Sequence, residues 1–123
     1  MPRFLAVLSL TLAPLLASAE EMISVYNWND YIAPEVLLSF EKESGIRVDY
    51  HTYSTADELE KLMASGVAMD VAVPSHDALQ GLIKTAAIQP LDLTRLPNRQ
   101  HLDKQLLSKL AAFDTKNLHA IPY

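Results

Sequence analysis

From Ile23 to Lys84 the chain alternates three times between a short apolar run and a longer stretch with helical spacing, and few architectures accept that pattern. Ile23 to Tyr26 reads as a buried strand. Pro34 to Ser44 reads as a helix with Val36, Leu37 and Phe40 on one face and Glu35, Glu41, Lys42 and Glu43 largely outside. Gly45 supplies its stop. Ile46, Val48 and Tyr50 then alternate with Arg47, Asp49 and His51, the period of a second strand. Thr55 and Glu58 have the spacing of a capping box for a helix through Met63, which turns Leu59, Leu62 and Met63 inward and ends near Gly66. Met69 to Val73 is the third strand, and a helix from His76 to Lys84 carries Leu79, Leu82 and Ile83 on its apolar face. Strand and helix in strict alternation predict parallel strands joined by right-handed crossovers, an α/β fold. Beyond Ile88 the pattern loosens. Pro90 and Pro97 bracket a loop, Leu102 to Phe113 is one more helix, and His119 to Tyr123 begins a further strand.

Sheets of this kind take ligands beyond the carboxyl ends of their strands. Two polar clusters fall there: Asn27 to Tyr31 after the first strand and Pro74 to Asp77 after the third. In the first, Asp30 offers a carboxylate, while Trp28 and Tyr31 offer ring faces and a hydroxyl. Such a set suits an organic cation, whose ammonium lies over a ring or against the carboxylate while its methylenes pack on indole. The plainer alternative leaves Trp28 and Tyr31 as core residues and Asp30 as the start of a helix. Ser75 stands where strand becomes helix, so its hydroxyl caps that helix or meets a ligand. Asp77 lies in the first helical turn, which favours a carboxylate with or without a ligand. His76 is expected to face solvent.

Other chemistry finds little support. Ser75, His76 and Asp77 are the residue types of a hydrolytic triad, but adjacent side chains on one turn cannot line up in relay. No G-x-S-x-G elbow surrounds the serine. His51, His76, His101 and His119 have no metal-binding spacing, and the sequence has no cysteine. Gly45, Gly66 and Gly81 are too scattered for a phosphate loop. Neither an enzyme nor a cofactor is expected.

The run Val25-Tyr26-Asn27-Trp28-Asn29-Asp30-Tyr31-Ile32-Ala33-Pro34 resembles the first-strand signature of the periplasmic spermidine/putrescine-binding proteins that serve ABC importers. Phe40-Glu41-Lys42-Glu43-Ser44-Gly45-Ile46-Arg47-Val48, Met69-Asp70-Val71-Ala72-Val73-Pro74-Ser75, Gln89-Pro90-Leu91-Asp92 and Ile121-Pro122-Tyr123 resemble that family's N-terminal lobe in the same order. The resemblance implies an incomplete N-terminal α/β lobe of a two-lobed, type II-like solute-binding protein. It implies a polyamine ligand held by Trp28, Asp30, Tyr31 and Ser75, with Asn29 in the motif's polar place, and ABC permease subunits as partners. At His76 and Asp77 the family varies, so Asp77 is a ligand-binding candidate on its carboxylate and its place at the sheet edge alone. Asn29 departs from the small hydroxyl residue usual in the motif, which leaves open whether the ligand is a diamine, a triamine or another cation.

Residues 1–19 have the layout of a secretory signal peptide: Arg3, an apolar run from Phe4 to Leu16, then Ala17-Ser18-Ala19 for cleavage. The run is too short to span a bilayer and Pro14 interrupts it, so no stable membrane insertion is expected after cleavage. With no cysteine to take a lipid, a soluble periplasmic protein of residues 20–123 is expected. That part carries nine basic and fifteen acidic residues, a net charge of −6, which disfavours nucleic acid. Its 104 residues suffice for one small domain but not for two lobes, so either the gene is truncated or the sequence is partial. In the family a strand returns from the second lobe into the first sheet, and its lack is expected to leave an open edge beside the third strand. Two competing readings stand: a remnant or interaction module that keeps the lobe's shape with little or no ligand binding, and a binder of an anionic or zwitterionic solute at helix N-termini.

Overall fold

The computed structural model describes residues 21–122, so the expected signal peptide, Glu20 and Tyr123 lie outside the described residues. Three parallel strands form one sheet: β1 (Met22–Trp28), β2 (Arg47–Tyr53) and β3 (Val71–Ala72), in the order β2-β1-β3. Helix α1 (Pro34–Ser44) leads from β1 to β2, and α2 (Ala56–Ala64) carries the chain back past β1 to β3. Helix α3 (His76–Lys84) follows. Short 3-10 turns at Leu93–Arg95 and Pro97–His101 precede α4 (Lys104–Leu110).

The register explains the core. Tyr26 lies opposite His51 and Ala72, and Trp28 opposite Tyr53, so these residues share one face of the sheet. There α2 covers them: Tyr26, Tyr53 and Leu59 are buried, with Trp28, Leu62, Met63, Met69 and Ala72 packed around them. The inward residues expected of α2 are therefore the ones that pack, and on α3 Leu79 and Leu82 are buried as expected. Thr55 Oγ1 accepts the Glu58 N–H at 3.2 Å, while the Glu58 carboxylate reaches back to the Ser54 N–H at 2.8 Å, one residue before the cap. Gly45 ends α1 with φ 74°, a left-handed backbone that only glycine adopts without strain.

Several expectations are corrected. The apolar face assigned to α1 is largely open: Leu37 is half-buried, but Val36 is 57% and Phe40 41% exposed, and the helix has no buried residue. The helix lies against β2, the edge strand, and a three-stranded sheet is too narrow to cover it. Glu41 turns to the protein, its carboxylate accepting the Val48 N–H of β2 at 2.7 Å. β1 runs past Tyr26 to Trp28, because Asn27 and Trp28 pair with Thr52 and Tyr53. Asn27 is 1% exposed, and its side-chain oxygen accepts the Trp28 N–H at 2.8 Å.

β3 is shorter than the apolar run around it. Its approach is fixed by Asp70, whose carboxylate accepts the Ser24 N–H at 2.7 Å and hydroxyl at 2.9 Å. The helix expected over Leu102 to Phe113 is confined to Lys104–Leu110, capped by Asp103, which accepts the N–H groups of Gln105 (2.6 Å) and Leu106 (3.2 Å). No strand begins at His119 within the described residues. The backbone N–H groups that a ladder would use there, those of His119 and Ala120, are instead taken by the buried carboxylate of Asp114 at 2.7 and 3.0 Å.

Candidate functional site

Trp28 ends the central strand, so its position is set by pairing on the β2 side and by packing beneath. Its ring lies 4.8 Å from that of Tyr53 at 57° and 6.4 Å from that of Tyr31 at 37°. The three rings form a tilted wall at the carboxyl edge of the sheet. Tyr53 braces it: the ring is 1% exposed and the hydroxyl donates to the Val73 carbonyl, joining the end of β2 to the segment after β3. Burial pushes the Tyr53 phenol up to about 12, and the phenols of Tyr31 and Tyr50 add to the rise. It therefore stays a neutral donor through the physiological range.

The loop beyond Trp28 carries the carboxylate. Asp30 is exposed and takes φ 60°, the left-handed conformation that aspartate tolerates better than most residues. Helix α1 begins at Pro34 after an Ala33 cap that makes no side-chain bond, so Asp30 does not start the helix. Asn29 is tied down on both sides: its N–H donates to the Tyr53 carbonyl at 3.2 Å, and its side-chain amide bonds the Ser54 hydroxyl at 2.7 Å. Tyr31 is 54% exposed.

Ser75 and Asp77 sit at the start of α3, beyond the neighbouring strand. The Ser75 hydroxyl makes no bond to the helix N-terminus. It bonds the Asp77 carboxylate, and this bond, followed by the N–H groups of Asp77 itself and Ala78, holds that carboxyl below its ordinary value. Asp77 thus satisfies its own helix end. His76 is exposed, with its ring edge-on to Phe113 at 4.8 Å.

An open groove of about 1320 Å³ runs from the Trp28 and Tyr31 rings along β3 and Pro74 to His76, Phe113 and His119. Of the six residues expected to bind, Trp28 and Tyr31 line it; Asn29, Asp30, Ser75 and Asp77 stand outside its walls. Sequence reasoning missed Tyr53, Ser54 and His119. The first two follow the rule that found the others, since they stand at the carboxyl end of β2, once that strand is carried past His51. For His119 no sequence spacing gives a signal.

A parallel α/β lobe of this strand order is a partial lobe of the solute-binding-protein fold. Residues 3–120 match the family described as hypothetical lipoprotein (MG045 family), and the chain belongs to that family. It is 44% identical over 123 residues to the putrescine-binding periplasmic protein SpuD of Pseudomonas aeruginosa, covering 95% of this chain and 34% of that one. To the putrescine-binding periplasmic protein PotF of Escherichia coli it is 41% identical, covering 88% and 30% of the two chains. Among solved structures, the spermidine/putrescine ABC transporter substrate-binding protein PotD from Streptococcus pneumoniae aligns with a TM-score of 0.79 at 30% identity. A putative spermidine/putrescine ABC transporter from Listeria monocytogenes aligns with a TM-score of 0.79 at 35% identity. Each alignment covers 84% of this chain and 32% of the other. The chain thus spans about a third of the length of the relatives it matches.

Proposed function

We propose that this chain supplies one wall of an extracytoplasmic polyamine-binding site, for putrescine or spermidine, that feeds an ABC importer and performs no catalysis. The observation that carries the reading is the Trp28, Tyr31 and Asp30 cluster at the end of the central strand, where rings and a solvent-reachable carboxylate stand within one loop. The methylenes of a polyamine pack on Trp28 while an ammonium meets Asp30. Relatives named for putrescine and spermidine binding support the ligand class. Their description as periplasmic, with the apolar run before Ala17-Ser18-Ala19, supports export. N-terminal sequencing of the exported chain is expected to begin at Glu20; intact chain confined to the cytoplasm would refute this.

The roles are ranked in a full-length, two-lobed context, by titrating with putrescine and following the Tyr31 ring resonances. There Asp30→Asn and Trp28→Ala are each expected to lose about 2 kcal/mol, the size of a charge-assisted hydrogen bond or a desolvated cation–π contact. Ser75→Ala loses at most about 1 kcal/mol, because its hydroxyl is already engaged by Asp77. Equal losses at all three positions would count against the ranking. Tighter binding of an amino acid than of putrescine would favour a helix N-terminus as the ligand's partner instead.

A further inference from the structure

We propose that His119 presents its ring Nε2 to the groove as a hydrogen-bond acceptor for a ligand ammonium, with the tautomer set by the buried carboxylate of Asp114. This rests on the polyamine reading above and extends it to a residue outside the aromatic cluster. Asp114 is fully buried, one oxygen accepting the N–H groups of His119 (2.7 Å) and Ala120 (3.0 Å). Its other oxygen stands 3.0 Å from His119 Nδ1. A carboxylate only accepts, so the proton at that contact belongs to Nδ1. A neutral imidazole with its proton on Nδ1 carries its lone pair on Nε2.

The ring is held to Asp114 with its side chain 17% exposed, and it lines the same groove as Trp28 and Tyr31. Among the described residues no hydrogen bond reaches Nε2. The groove wall also holds Asp70, which favours a cation, and Lys109, which opposes one. An oriented acceptor for an N–H donor is therefore what the dyad adds. With two oxygen and nitrogen donors alone it is short of a metal site, and no group of three such residues occurs among those described.

The test is nitrogen-15 NMR of the imidazole in the whole chain, with and without putrescine. Free protein is expected to show a protonated Nδ1 and an unprotonated Nε2, and putrescine is expected to shift the Nε2 resonance. His119→Asn keeps an N–H for Asp114 at the place of Nδ1 while deleting Nε2, and is expected to weaken putrescine about tenfold with the fold intact. Asp114→Asn turns the acceptor at Nδ1 into a donor, moves the proton to Nε2 and brings the same loss. A proton on Nε2 in the unaltered chain, or an Nε2 resonance that putrescine leaves still while the Tyr31 ring responds, overturns this inference and leaves the polyamine reading standing. Silence at both Tyr31 and His119 overturns both.

Discussion

Asp114→Ala is expected to lower the unfolding free energy by about 3 kcal/mol, because it strips the shared acceptor from three hydrogen-bond donors around a fully buried side chain. The carboxylate has no exposure to water and gathers the His119 ring and the N–H groups of His119 and Ala120. Removing it leaves those donors without their acceptor in a part-buried loop, at about 1–3 kcal/mol for each that water does not reach. Among the described residues few large side chains are buried, so a loss of this size unfolds much of the lobe. Urea titration by near-ultraviolet circular dichroism reads the midpoint, and amide exchange at Ala120 reads the loop. A variant with an unchanged midpoint would show that the dyad contributes nothing to the fold. The pH dependence has a fixed sign. Burial works against the charged form of Asp114, but the hydrogen bonds from the His119 ring and from the N–H groups of His119, Ala120 and Leu118 outweigh it and hold the carboxyl below its ordinary 3.8. A depressed folded pKa gives stability that is fully present above that ordinary value and is lost as pH falls through the folded one. Asp70, held down chiefly by the Ser24 N–H and hydroxyl, and Asp77 act in the same direction. Stability is therefore expected to fall below about pH 4, and less steeply in Asp114→Asn.

What was legible in the chain is what local chemistry fixes. The three strands and three helices up to Lys84 show as changes of hydrophobic period, and Gly45, Thr55 and Glu58 mark ends that need a left-handed residue or a cap. The carboxyl-edge cluster was legible for the same reason: strand ends in a parallel sheet share an edge, whatever the contacts between them. The failures are long-range. Val36 and Phe40 have the spacing of a buried face, but spacing cannot tell how wide a sheet lies behind them. Glu41 has the spacing of a surface residue, and nothing local shows that the edge of β2 needs an acceptor for the Val48 N–H. Ser75 offered a cap, but Asp77 two residues on is the stronger acceptor for its hydroxyl and the better neutraliser of the helix end. Around His119 the apolar alternation pointed to a strand, and a charge five residues earlier redirected the backbone. The groove draws its walls from β1, β3, α3 and the segments around Phe113 and His119, which local spacing does not bring together.

The chain by itself is expected to bind putrescine no more tightly than a dissociation constant of about 1 mM, near −4 kcal/mol. The reason is geometric. Asp30 is exposed, Tyr31 is more than half exposed, and the groove beside them is open along its length, so a ligand meets one wall and keeps water on the other. An ion pair left wet contributes only about 0–1 kcal/mol, far from the value the same carboxylate has when enclosed. The relatives are about three times as long, which leaves ample chain for a second wall in them. The same openness governs behaviour in solution. β3 is an edge strand of two residues beside a groove walled by apolar side chains, and α1 turns Val36, Leu38 and Phe40 outward at 57%, 64% and 41% exposure. Open strand edges and apolar faces of this kind draw in other copies of a chain. Purified residues 20–123 are expected to melt over a broad range and to self-associate with rising concentration, seen together by calorimetry and sedimentation. Charged replacements at Val36 and Leu38 reduce the association without touching the Trp28 wall. A sharp thermal transition in a monomer with micromolar putrescine binding would mean that one wall suffices, and that Trp28, Asp30 and Tyr31 enclose the ligand by a movement of the loop between β1 and α1.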